Sequence, residues 1–336
     1  MGRHLILPDA AWRTKAACKR RSVLLLRWPI RGSAAKGKGT AMQTKQDIER
    51  LLAGAGTTPK HRLGQNFLID LNLMRLLVDE AHIHPQDVVL EVGPGTGSMT
   101  EALAERAGRV IAVEYDPPLA RIVSAQLKSF ANVILFNRDV LENKNTIHGE
   151  ILDAVQKARA ELGGRLLLVS NLPYGAGSAV MANLITGPVV ADAMVVTVQK
   201  EVAERMAAMP DHDAYGTLSI LMSATGSVHI FRKLPPSVFW PRPQVDSAMV
   251  SFIRDPQKAA QIHDMDTFRE IITLFMGHRR KMLKACVKFA AGGLSKVHGW
   301  NELFAEAFVD PHHRPEQLSA SDYINIANLC WEQIRK

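Results

Sequence analysis

Val88-Val-Leu-Glu-Val-Gly-Pro-Gly-Thr-Gly97 decides the fold. An apolar strand runs straight into three alternating glycines, and a helical pattern starts at Met99. Glycines in such a loop permit positive φ and let a ligand come close to the backbone. Working outward, the spacing predicts further strands at 110–114, 133–137, 166–169 and 193–198. Between them it predicts helices at 99–106, 118–129, 150–161, 178–185 and 200–206. Strands separated by helices of about ten residues imply an α/β fold, a parallel Rossmann-like sheet covered on both faces.

The pattern changes downstream. Residues 228–234 and 248–253 read as an antiparallel hairpin that closes the sheet, with a proline-rich run between them. Beyond Asp255 no strand is expected, and 267–290, 300–308 and 321–335 read as helices. Three regions follow: a basic leader over 1–46, an α/β domain over 47–255 and a small all-helical domain over 256–336. Upstream of the first strand, 47–53 and 71–81 read as helices flanking a polar arm at 61–70.

The formal net charge of +8 is unevenly spread. Residues 1–46 carry +10 and the remainder carries −2. Nucleic-acid binding by the folded part must therefore come from local patches. The Arg-rich, acid-poor leader reads as an organellar transit peptide, as a basic RNA-binding arm, or as an over-long start with translation beginning at Met42. No fixed structure is expected there. The 3 cysteines (Cys18, Cys286, Cys330) are scattered, which predicts reduced thiols, no disulfide framework and no metal site. No stretch of 18 apolar residues occurs, so no membrane span is expected.

The loop spacing is Glu-x-Gly-x-Gly-x-Gly. A dinucleotide loop needs glycine or alanine in the sixth place of its motif, where Ser98 stands, so nicotinamide chemistry is disfavoured. The spacing resembles the first motif of S-adenosylmethionine (SAM) methyltransferases, whose loop packs on the amino-acid end of a sulfonium ligand. Glu114 ends the next strand, where a carboxylate can accept both ribose hydroxyls of a nucleoside. Asp139 closes the third strand and can accept from an adenine amine. Strand-end acids often only cap helices or face water. Here three features fall at the carboxyl ends of three successive strands, the ligand-binding edge of open α/β sheets.

Asn171-Leu172-Pro173-Tyr174 follows the strand at 166–169. The Asn171 oxygen and a backbone carbonyl near Leu172–Pro173 can both accept from the exocyclic amine of a nucleobase. Such a grip draws the nitrogen lone pair out of the ring and aims it at a methyl donor. Tyr174 can stack on the base, worth about 1–3 kcal/mol. No general base is required, because the proton leaves after transfer, and catalysis rests on positioning and electrostatics.

Eight ordered stretches resemble the small-subunit rRNA adenine N6,N6-dimethyltransferases of the KsgA type, over nearly all of residues 58–330. They are Leu63-Gly-Gln-Asn-Phe-Leu-Ile-Asp70, Leu90–Gly97, Val113-Glu-Tyr-Asp116, Asn171–Tyr174, Val198-Gln-Lys-Glu-Val-Ala-Glu-Arg205, Tyr215-Gly-Thr-Leu-Ser219, Pro241-Arg-Pro-Gln-Val-Asp-Ser247 and His278-Arg-Arg-Lys281. The tail match Arg314-Pro-Glu-Gln-Leu-Ser319 favours the small-subunit type over relatives acting on large-subunit rRNA. The resemblance implies that Asn66 and Leu68 close over SAM and that Gly93 and Gly95 meet its methionine part. It implies Glu114 at the ribose, Asp139 at the adenine and Asn171 where cofactor and target meet. Phe239 would form a second wall for the flipped adenine. The implied product is dimethyladenosine at two adjacent adenosines in a hairpin loop near the 3′ end of small-subunit rRNA, made during ribosome biogenesis. Such a base must leave its stack to be reached. Gly175-Ala176-Gly177 departs from the bulkier residues usual there.

Arg279, Arg280, Lys281, Lys284 and Lys288 fall on one predicted helix, and Arg280, Lys284 and Lys288 would share a stripe suited to an RNA backbone. The expected partner is small-subunit rRNA in a 30S-type precursor particle, and the expected state a cytoplasmic monomer, or an organellar one if residues 1–41 act as a transit peptide. A non-catalytic role as assembly checkpoint or transcription-type factor on the same scaffold is the competing reading.

Overall fold

Apolar strands alternating with helices bury both faces of a sheet only by laying helices on each side. The computed structural model of the chain, which describes residues 42–143 and 146–336, has that form. Thr44 caps α1 (Lys45–Gly54) in a capping box with Asp47. The arm then runs through a single turn at His61–Leu63 into β1 (Phe67–Leu68). Asp70 accepts the Asn72 and Leu73 N–H groups to start α2 (Leu71–Glu80).

The alternating body follows: β2 (Val88–Val92), α3 (Ser98–Ala104), β3 (Arg109–Glu114), α4 (Pro117–Gln126) and β4 (Val133–Asn137). A short hairpin, β5 (Leu141–Asn143) and β6 (Thr146–Ile147), leads into α5 (Gly149–Leu162). Next come β7 (Leu166–Asn171), α6 (Gly177–Thr186), β8 (Ala193–Gln199), α7 (Lys200–Ala207) and α8 (Thr217–Thr225). The sheet ends with β9 (Gly226–Leu234), β10 (Phe239–Trp240) and β11 (Ser247–Arg254). The tail holds α9 (Pro256–Ala259), α10 (Met265–Met276), α11 (Leu283–Cys286), α12 (Trp300–Glu306) and α13 (Ala320–Ile334).

The main sheet runs β4-β3-β2-β7-β8-β11-β9. Its first five strands are parallel, and β11 lies antiparallel to both β8 and β9, as the expected closing hairpin requires. From β2 the chain winds outward to β3 and β4, then returns to β7 on the other side. The switch point therefore lies between β2 and β7, where open α/β sheets bind ligands. Strand side chains alternate between two cores. Val88, Leu90, Leu166 and Leu168 face α5 and α6, while Val89, Leu167 and Val169 face α2 and α3. Truncating one of these, Leu168 for example, removes buried contact worth about 2–5 kcal/mol.

The structure revises four expectations. The globular part starts before residue 47: Met42 and Gln43 are buried, and Thr44 is already a cap. Residues 1–41 of the expected leader lie outside the described residues. The stretch 217–225, to which the spacing assigns no element, is α8; polar and apolar residues are buried together in it, which blurs any amphipathic period. The arm forms a two-stranded ribbon, with Phe67 opposite Trp240 and Leu68 opposite Phe239.

The fourth revision concerns residues 267–290, which are not one helix. α10 stops at Gly277, where any Cβ would sit 2.8 Å from the Thr273 carbonyl oxygen. The chain restarts at α11, whose first amides are taken by other partners. Leu283 N–H donates to the His313 carbonyl (2.9 Å) and Lys284 N–H to that of Pro311 (3.1 Å). Tertiary bonds thus replace the helical ones. The tail shares its core with the sheet: Phe268, Phe275 and Tyr323 join Ile220 and Met222 of α8 in one cluster. All described residues fall in one compact unit. Tyr215, pinned by donating to the Leu318 carbonyl (2.8 Å), ties the rim loop to the tail.

Candidate active site

A cavity of about 500 Å³ opens at the carboxyl ends of β2, β3 and β7, a volume suited to a small-molecule ligand. Three segments converge on it. The glycine loop leaves β2 with Gly93, Gly95 and Gly97 all at positive φ. At Gly93 a Cβ would stand 3.0 Å from the Pro173 ring, and at Gly95 it would stand 2.9 Å from the Phe67 ring. The glycines thus let the loop, the Asn171 run and the arm close on one another. No larger residue fits at 95 without displacing the arm.

Glu114 ends β3, buried at 5% exposure. Its two oxygens accept from Gly95 N–H (3.1 Å) and Asp116 N–H (2.9 Å), so one carboxylate fixes both the loop and its own turn. Burial pushes its pKa up to about 7, against the pull of the Asp116 and Gly95 amides. Each oxygen keeps a lone pair for a ligand hydroxyl. Glu91, in the middle of β2, is fully buried and lines the cavity. Neither of its oxygens, nor Thr100 Oγ1, has a hydrogen-bond partner among the described residues. Burial drives its pKa to about 8, and the charge of Glu114 adds to the rise. Unpartnered acceptors on a cavity wall suit a ligand that brings N–H or O–H donors, which fits the amino-acid and ribose ends of SAM.

The arm is latched beside this wall. Asp116, at 2% exposure, accepts from Lys60 Nζ (2.6 Å) and Gln65 Nε2 (3.0 Å). Gln65 Oε1 accepts in turn from Lys60 N–H at 2.8 Å. The Phe67–Trp240 stack, with centroids 6.2 Å apart, anchors the far end.

Asn171 is the last residue of β7. Its Nδ2 donates to the Asn66 carbonyl of the arm at 2.9 Å. That bond turns the amide so that Oδ1 is left as a free acceptor at the cavity. The Pro173 carbonyl accepts from Ala176 and Gly177 N–H (3.2 and 3.1 Å) and is spent on the turn. Among the described hydrogen bonds none uses the Leu172 carbonyl, which leaves it free to accept beside Asn171 Oδ1. Tyr174 lines the cavity, and its hydroxyl meets the buried Ser247 hydroxyl at 2.9 Å.

Of the residues expected from the sequence, Asn66, Leu68, Gly93, Gly95, Glu114, Asp139, Asn171, Leu172, Pro173 and Tyr174 all line this one cavity. Asp139 uses one oxygen to hold Leu141 N–H (3.0 Å). Phe239 does not line it. Its ring is 1% exposed in the core beneath β1, because β10 pairing turns it inward. The shared basic stripe also does not form. Arg280 lies in the turns after α10, Lys284 in α11 and Lys288 in a separate single turn. Arg279 is paired with Glu316 (2.9 Å), while Arg280, Lys281, Lys284 and Lys288 are exposed. The sequence reading gave no role to Glu91, Phe67 or Tyr115, a half-exposed ring on the cavity wall. An acid inside an otherwise apolar strand is the signal that marks Glu91.

Residues 56–331 match the family model described as "Ribosomal RNA adenine dimethylase". Similar proteins include the "Ribosomal RNA small subunit methyltransferase A" of Bacillus mycoides and that of Geobacillus kaustophilus. Each is 33% identical over 294 residues, 87% of this chain and 97% of the relative. Among solved structures, a dimethyladenosine transferase from Plasmodium falciparum matches with a TM-score of 0.60 at 22% identity, over 76% of this chain and 94% of that one. The 23S rRNA methyltransferase ErmE matches at 0.54 and 22%, over 79% and 99%. The two structures share the fold.

Proposed function

The chain belongs to the ribosomal RNA adenine dimethylase family and is a SAM-dependent rRNA adenine dimethyltransferase; from that premise we propose that it dimethylates N6 of two adjacent adenosines in a hairpin loop near the 3′ end of small-subunit rRNA. The precursor small subunit is the proposed partner and the monomer the acting form. The compartment is the one that assembles those subunits, cytosolic unless residues 1–41 direct the chain to an organelle.

One observation carries the chemistry: the Asn171 amide is oriented by the arm. With Nδ2 committed to the Asn66 carbonyl, Oδ1 accepts one N–H of an adenine amine and the Leu172 carbonyl accepts the other. Two acceptors on one amine pull its lone pair out of conjugation and hold it in line. Tyr174 covers a face of the base, and Ser247 holds the ring from β11. Glu91, Glu114 and Asp139 supply acceptors for the donors of SAM, and Gly93 and Gly95 let it reach the backbone. When bound, SAM supplies an electrophilic methyl carbon. The amine proton becomes acidic after transfer, so no side chain has to act as a strong base.

Methyl transfer to undermethylated small subunits tests the assignment. Asn171→Ala lowers kcat by about 10²–10³-fold, the usual loss for one removed electrostatic donor or acceptor at a reacting centre, while SAM affinity falls far less. Near-normal turnover would place the target base elsewhere. Mass spectrometry of the methylated rRNA identifies the two nucleotides.

A further inference from the structure

Met42 and Gln43 precede everything the sequence marks as globular, yet both are buried, Gln43 against the cofactor loop. Gln43 N–H donates to Ser98 Oγ at 2.9 Å, and Gln43 Nε2 donates to the Thr96 carbonyl at 3.2 Å. Thr96 and Ser98 both line the cavity. The side chain as a whole is 8% exposed, and its Oε1 is buried with no partner among the described residues.

A half-satisfied buried amide is a poor choice for stability alone, and an apolar side chain of similar volume serves better. What the amide adds is a grip on Thr96. That residue stands between Gly95 and Gly97, two positions at positive φ in a stretch with little shape preference of its own. On one side Glu114 holds the Gly95 N–H. On the other side only Gln43 reaches Thr96 among the described side chains.

We propose that Gln43 is a positioning residue for the cofactor: its amide holds the glycine loop at Thr96 in the form that receives SAM. The segment ahead of α1 is then part of the SAM site, not a tether to it. The backbone bond to Ser98 does not depend on the side chain, so substitution at 43 isolates the amide.

The test uses the full chain carrying Gln43→Met, which keeps the buried volume. Titration calorimetry with SAM is expected to give a Kd raised about fivefold, the size of one neutral hydrogen bond. Amide hydrogen exchange at Gly95 and Gly97 of the cofactor-free protein is expected to quicken. If the side chain merely fills space, Gln43→Met leaves Kd within twofold whatever the melting temperature; that outcome overturns the proposal. Gln43→Glu is the second variant. It keeps the shape but sets a carboxylate against the Thr96 carbonyl, and it is expected to weaken SAM at least as much as Gln43→Met. Should Gln43→Met not fold, unchanged SAM affinity in Gln43→Glu overturns the proposal by itself.

Discussion

Single side chains here do their work through bonds that leave something free. Asn171 spends its nitrogen on the arm so that its oxygen stays available, and Glu114 spends one lone pair of each oxygen on backbone amides. Glu91 spends nothing, and its pKa of about 8, like the value of about 7 for Glu114, lies above the ordinary value of 4.5. Both acids are therefore largely protonated in the cofactor-free fold at pH 6. Their contribution to stability is fully present below about pH 4.5 and is lost as pH rises through 7 and 8. Calorimetric melting of the cofactor-free protein is expected to fall across that range, and Glu91→Gln to flatten the slope. Ligand donors favour the ionised carboxylates, so SAM binding strengthens with rising pH and releases protons near pH 7. Titrations in buffers of different ionisation heat count those protons; a buffer-independent heat contradicts the assignment. Motif spacing places Gly93, Gly95, Glu114 and Asn171 at or just after strand ends, and the fold brings them to one cavity. The sequence did not disclose which carbonyl is free at Leu172–Pro173, since that depends on the turn through Ala176 and Gly177. Nor did it disclose that Phe239 faces inward, which depends on pairing with a strand some 170 residues upstream.

At the level of elements, the parallel body was legible because each strand and helix carries its own period. Boundaries at 88–92 and 133–137 coincide with β2 and β4. Elements whose shape comes from distant partners were not legible. α8 mixes polar and apolar residues and buries most of both, β1 and β10 are two residues each, and α10 ends where the 310–313 loop supplies carbonyls to α11. The arm is the element with the most direct functional reading. Its latch is an ion pair in which Asp116 is nearly buried and Lys60 is about one-third exposed. Lys60→Met leaves a buried carboxylate with only the Gln65 amide, a costly arrangement. The expected result is a lower melting temperature and a several-fold faster SAM off-rate in stopped-flow displacement. An unchanged off-rate would mean that the β1–β10 ribbon alone holds the arm.

For the whole molecule, the α/β fold class and a helical tail follow from the alternation of patterns, while the strand order comes from the structure. The sharing of one core by tail and sheet does not follow from that alternation either, because it runs through α8. The described fold is nearly neutral overall, with −2 over residues 47–336, so rRNA affinity must rest on local cations. Binding of rRNA hairpins is expected to weaken as salt rises. Replacing the exposed Arg280, Lys284 or Lys288 with alanine should reduce the slope of log affinity against log salt by roughly one per residue. Arg279→Ala should instead cost stability, since its partner Glu316 is left alone. Equal slopes in all four variants would move the RNA surface off this part of the tail.

A strap fastened at both ends borders the cofactor cavity. Lys60 and Gln65 hold one end, and the pairing of Phe67 and Leu68 with Trp240 and Phe239 holds the other. Each adenosine that receives two methyl groups consumes two donors, so a spent donor must be exchanged for a fresh one between transfers. We expect opening of either fastening to speed that exchange, and a loosened arm also releases the Asn171 amide from the Asn66 carbonyl. A slackened strap is then expected to hold the target amine less firmly and to release more singly methylated RNA, read by mass spectrometry as the ratio of mono- to dimethyladenosine.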